Sequence, residues 1–78
     1  MARITAENFR KIEKERNSVH DKVDATYTEF ICDGQKFFQI DTYGSAYRDI
    51  KGKVSQSIQI DHEAAMELVE LLKKAFDI

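Results

Sequence analysis

Residues 25–43 read ATYTEFICDGQKFFQIDTY, and their pattern decides the fold. Two runs rich in β-branched and aromatic side chains flank Asp33-Gly34, a pair suited to the positive φ angles of a two-residue type I′ turn. A turn of that length sets the register. Cys32 opposes Gln35, Phe30 opposes Phe37, Thr28 opposes Gln39, and Tyr27 opposes Ile40. Side chains alternate across a sheet, so two faces follow. One carries Ala25, Tyr27, Ile31, Phe38 and Ile40, interrupted by Glu29. The other carries Thr26, Thr28, Phe30, Phe37, Gln39 and Asp41.

Residues 54–60, VSQSIQI, continue the alternation. Val54, Ile58 and Ile60 share the parity expected to join Phe38 and Ile40 in the core. Ser55, Ser57 and Gln59 share the other, and join Gln39 and Asp41 on a polar face. Asp61 is a helix N-cap, followed by Glu63 in the first turn and Lys73 and Lys74 near the last, as the helix dipole favours. Ala65, Leu68, Val69, Leu72, Ala75 and Phe76 form a wide apolar stripe on that helix. At the other end, Thr5 reads as an N-cap with Ile4 and Phe9 at staple spacing. Phe9, Ile12, Val19 and Val23 then recur at helical spacing, with Arg16 breaking the stripe.

The pattern predicts an α+β fold, α-β-β-β-α. It is a two-layer sandwich of a three-stranded antiparallel sheet with N-terminal and C-terminal helices on one face. Its expected core sets Tyr27, Ile31, Phe38, Ile40, Val54, Ile58 and Ile60 against Leu68, Val69, Leu72 and Phe76. Arg16 and Glu29, the charges that interrupt apolar stripes, are expected to pair, because an unpaired buried charge is costly.

The chain has 78 residues, one domain over 1–78, near the lower limit for a self-supporting core. Such a chain needs an idealised core, a staple or a partner. Cys32 is its one cysteine, which rules out an intrachain disulfide. No apolar run approaches the ~18 residues of a membrane span, and MARITAENF lacks the apolar core of a signal peptide. These features predict a cytoplasmic protein with no membrane partner. The net charge of −2 and pI near 5.6 count against a strongly electrostatic nucleic-acid binder. Charge is uneven, however. Arg48, Lys51 and Lys53 outnumber Asp49 in the loop 46–53, while five acids outnumber Lys73 and Lys74 over 61–78.

The polar face holds the candidate site. Phe30 and Phe37 sit side by side there, an arrangement suited to a protein interface, to stacked bases, or to plain cross-strand packing. The connection 41–53, DTYGSAYRDIKGK, is long for so small a domain, and its glycines and basic residues offer an anion contact. The candidate binding set is therefore Phe30, Phe37, Gln39, Asp41, Tyr43, Arg48, Lys51, Lys53, Ser55, Ser57 and Gln59. His20 and His62 lack metal-ligand spacing, and Ser45 in YGSAY is no nucleophile elbow. The expectation is a non-catalytic module without cofactor or metal. It acts through protein–protein contacts, as a homodimer or small regulator, via the polar sheet face. The alternative is a nucleic-acid-binding module using Phe30, Phe37 and the basic loop 46–53.

The run QIDTYGSAYRDIKGKVSQSIQID and the helix after it resemble a family of small bacterial proteins of uncharacterised function. That family shares a D-T-Y-G-S turn and a G-K-V-S-Q-S-I-Q strand. Some of its members carry a methionyl-tRNA formyltransferase-like label, but 78 residues do not house a folate site and catalytic domain. The resemblance implies a grouping and no mechanism. In element order alone, strands followed by a C-terminal helix, the chain is also similar to single-stranded nucleic-acid-binding coactivators.

Overall fold

The computed structural model describes residues 1–44 and 53–78. Strand β1 (Ala2–Ile4) leads through a 3-10 turn (Ala6–Asn8) and a long irregular segment into β2 (Ala25–Cys32). There follow β3 (Gln35–Tyr43), β4 (Val54–Asp61) and helix α1 (His62–Phe76). The strands form one mixed sheet in the order β1-β4-β3-β2.

The hairpin register is the one that the Asp33-Gly34 turn dictates. Phe30 pairs with Phe37, Thr28 with Gln39 and Tyr27 with Ile40. Asp33 and Gly34 both take positive φ, 52° and 76°, as a type I′ turn requires. Strand β4 adds to β3 antiparallel, with Ile58 opposite Ile40 and Ile60 opposite Phe38. Between Thr42 and Tyr43 the register shifts, so Gln56 pairs with Thr42 but Val54 with Tyr43. Directly opposed residues share a face. The shift therefore puts Val54 on Tyr43's side of the sheet, away from Ile58 and Ile60, and leaves Ser55 as the inserted residue.

The N-terminal region departs from expectation. Thr5 does precede a helical turn, but that turn is 3-10 and ends at Asn8, with Phe9 already extended at φ −115° and ψ 100°. Thr5 makes no cap to a backbone N–H; its Oγ1 instead accepts from the Asn8 amide at 3.4 Å. Residues 10–24 form no regular structure and are all exposed. A thin apolar stripe with nothing to pack on does not hold a helix of this length. Before the turn, β1 pairs parallel with β4, Arg3 opposite Gln59, so the sheet has four strands and is mixed. Arg16 and Glu29 are both exposed, which removes the need for the pair expected of them.

Helix α1 is capped as its sequence suggests. The Asp61 carboxylate accepts from the Ala64 N–H at 2.9 Å, and the helix closes on Asp77 in the left-handed region, φ 54°. The expected core is mostly uncovered. Ile60 (6% exposed) and Ala64 are the buried apolar residues among those described, with Ile40, Ala65 and Leu68 half-buried. Tyr27 and Phe76 are 71% and 69% exposed, and Ile31, Val69 and Leu72 also face solvent. The helix meets the sheet through its first two turns, and every residue from 69 onward is exposed. The radius of gyration is 14.7 Å, against about 11.5 Å for a compact chain of this length.

Candidate functional site

The two sheet faces differ in what they leave unsatisfied. On the polar face, Phe30 and Phe37 stack with ring centroids 5.3 Å apart and planes at 23°. The Arg3 guanidinium lies over Phe37, 4.9 Å from its centroid. Arg3 comes from the β1 side and Phe30 from the β2 side, so Phe37 is held between a cation and a second ring. The outer ring face of Phe30 is what remains open to a ligand. Arg3 also donates to Asp61 at 3.3 Å. The Asp61 carboxylate therefore caps α1 with one oxygen and ties down β1 with the other. Its pKa lies below the ordinary value, chiefly because of the Ala64 N–H and then Arg3, over the opposing pull of desolvation.

The amides of this face are likewise occupied with one another. Gln59 Nε2 donates to Gln39 Oε1 at 2.8 Å, and Gln39 Nε2 donates to both Asp41 oxygens at 3.0 and 3.1 Å. Ser57 is buried. The Tyr43 hydroxyl shares a hydrogen bond with Thr26 Oγ1 at 2.9 Å. The structure thus brings together Phe30, Phe37, Gln39, Asp41, Tyr43, Ser57 and Gln59. Ser55 sits exposed at the register shift and Lys53 exposed before β4; Arg48 and Lys51 lie outside the described residues.

The apolar face has no such closure. Tyr27 and Phe38 stack on it diagonally, centroids 5.5 Å apart and planes at 18°, and both rings remain open to solvent. Where α1 begins, a cleft of about 510 Å³ is lined by Ile31, Phe38, Ile60 and Ala65, by Glu29 and Lys36, and by Phe30, Phe37, Asp61 and His62, so it draws on both faces. The sequence pattern assigns Tyr27 and Phe38 to the core and gives Arg3 no place in the candidate site. The hairpin register carries the signal for the first, since it puts Tyr27 and Phe38 on one face. For Arg3 the partner lies 58 positions away, and no local pattern announces it.

Among the described residues no cluster of His, Cys, Asp and Glu is arranged to hold a metal ion, and no helix is long and apolar enough to cross a membrane. Set beside known proteins, the chain matches no family model, no curated protein and no solved structure.

Proposed function

We propose that this chain is a small non-catalytic binding module that works as a homodimer, closing its open apolar face against a second copy. One observation carries this reading: the same chain leaves uncovered both the apolar side of its sheet and the apolar stripe of its helix. Tyr27, Ile31 and Phe38 on the sheet, and Val69, Leu72 and Phe76 on the helix, are all exposed. Surfaces of this kind mark interaction sites, and a two-fold pair satisfies both at once, because each copy offers what the other lacks.

Magnitudes support a large contact. The chain exposes 7483 Å², whereas a compact monomer of its 9.0 kDa exposes about 4,900 Å². The exposed segment 10–24 and the uncovered sheet and helix faces both contribute to this excess of roughly 2,600 Å². Obligate homodimers bury about 1,000–2,500 Å² per partner, so the excess is of the right size. The polar face, expected from sequence to make the contact, is the less needy of the two, since its side chains already bond to one another.

Sedimentation equilibrium from nanomolar to micromolar concentration tests the proposal. A dimer that melts cooperatively is expected, and a folded monomer at every concentration overturns it. The second reading, single-stranded nucleic acid on the polar face, is favoured by the free outer ring of Phe30 alone. Oligonucleotides are expected to show no saturable binding at low salt. Binding that survives physiological salt and weakens by about 1–3 kcal/mol on Phe30→Ala would replace the protein reading. Changing Lys51 and Lys53 to Gln would then flatten its salt slope by roughly one unit per contact.

A further inference from the structure

We infer that the free edge of β2 is the seam of the dimer. Two copies of this strand pair antiparallel about a two-fold axis through Thr28, joining two four-stranded sheets into one of eight. The inference rests on the homodimer reading and adds to it the place and register of the contact.

Strand β2 is paired with β3 along its whole length, Ala25 opposite Thr42 through Cys32 opposite Gln35. Its outer edge has no neighbouring strand among the described residues. Open edges invite pairing, and proteins that must stay apart blunt them with short strands, bulges, proline or lysine. The opposite edge of this sheet is blunt by length, for β1 has three residues. Strand β2 has no proline, lysine or bulge and is not short; Glu29, on the apolar side, is its one such device. It runs for eight residues, ATYTEFIC, all exposed, with Glu29 as its one charge, and the register shift of the sheet lies elsewhere, at Thr42 and Tyr43.

A second copy is the occupant that fits, and parity restricts how it fits. A two-fold axis perpendicular to the sheet keeps polar face with polar face. Directly opposed residues share a face, so the axis must pass through a residue position. An axis at Tyr27 or at Phe30 engages five residues of β2, whereas an axis at Thr28 or at Glu29 engages seven. At Glu29, two carboxylates oppose each other, which destabilises. At Thr28, residues 25–31 all find partners: Thr28 meets Thr28, Tyr27 meets Glu29, Phe30 meets Thr26, and Ile31 meets Ala25. On the apolar side, the two Tyr27–Phe38 stacks and both Ile31 side chains then form one continuous surface.

Cross-linking tests the seam. In a Cys32→Ser background, Thr28→Cys sets two thiols at the axis, with Cα atoms about 4.5–5.5 Å apart, within disulfide reach. Thr26→Cys sets its two thiols four positions apart, about 14 Å. Mild oxidation is expected to give a covalent dimer from Thr28→Cys and none from Thr26→Cys. Thr28→Lys places two ammonium groups side by side, and is expected to weaken dimerisation at least tenfold with the far-UV circular dichroism unchanged. A wild-type dimer whose Thr28→Cys variant stays uncross-linked, and whose Thr28→Lys variant dimerises like wild type, overturns the seam and leaves the homodimer standing. Equal cross-linking at Thr26 and Thr28 also overturns it. A wild-type chain that sediments as a folded monomer overturns both.

Discussion

The two faces of this sheet are built from the same three long strands, yet one is finished within the chain and the other is not. On the polar face a line of contacts runs from Phe30 to Phe37, Arg3 and Asp61 and into the first turn of α1. A second runs from Gln59 through Gln39 to Asp41. On the other face the apolar side chains outnumber what α1 can cover with two turns. Polar groups satisfy one another pairwise, through directed bonds between neighbours. Apolar groups need a second layer, and the one α-helix among the described residues supplies too little of it. A face of polar residues is therefore weak evidence for binding, and a face of unburied apolar residues is strong evidence for a missing partner.

The largest expected effect separates the helix's seated half from its free half. Ile60 is buried where α1 begins to cover the sheet, so Ile60→Ala is expected to cost about 2–5 kcal/mol in chemical denaturation. Leu72 sits beyond the covered part and is 41% exposed. Below the dissociation range of the proposed dimer, Leu72→Ala is expected to change stability by no more than about 0.5 kcal/mol. Above that range it should weaken association. Equal costs for the two variants in the dilute chain would show that the helix is seated along its whole length and that the face is closed.

The same contrast explains what the sequence discloses. The hairpin was legible because Asp33-Gly34 and strict alternation act over a few residues and leave one register. Asp61 was legible for a similar reason, its acceptor lying three residues from the N–H that it caps. The three residues of β1 carry no strand pattern of their own and are held by β4, far along the chain. Helical spacing in Phe9, Ile12, Val19 and Val23 promised an element that only packing could sustain, and no surface receives it. The register shift at Tyr43 moved Val54 off the face that its parity assigned. For the candidate site, residue types and faces were readable, but whether those side chains were free was not, because that depended on distant partners, Arg3 for Phe37, Gln59 for Gln39 and Thr26 for Tyr43.

A change of pH probes the finished face by a smaller effect. The folded-state pKa of Asp61 is lowered from 3.8. A depressed carboxyl contributes stability that is present above its unfolded pKa and is lost as pH falls through the folded one. Helix content followed by circular dichroism should accordingly fall below about pH 4. In Asp61→Asn the side chain keeps an oxygen for the Ala64 N–H but has no charge to lose. Its helix is expected to be weaker at neutral pH and to lack this part of the acid dependence. An unchanged acid profile in the variant would assign the transition to other carboxylates and detach Asp61 from the network.

Arg3 offers the finest test, because it joins the Phe30–Phe37 stack to the Asp61 helix cap while remaining about half exposed. Removing it by Arg3→Ala takes away the cation over Phe37, an interaction worth about 0.5–1 kcal/mol at such a site. Arg3→Lys retains charge but lacks the flat guanidinium that covers the ring while reaching Asp61, so it should recover only part of the loss. Titration of Asp61 by NMR reads the same contact independently. Without Arg3 its pKa should rise, yet stay below the ordinary value, since the Ala64 N–H is the larger cause of the depression. A rise with no change at the Phe37 ring resonances would mean that Arg3 serves Asp61 alone. No rise at all would mean that β1 does not lie beside β4 in solution, and that the sheet has three strands there.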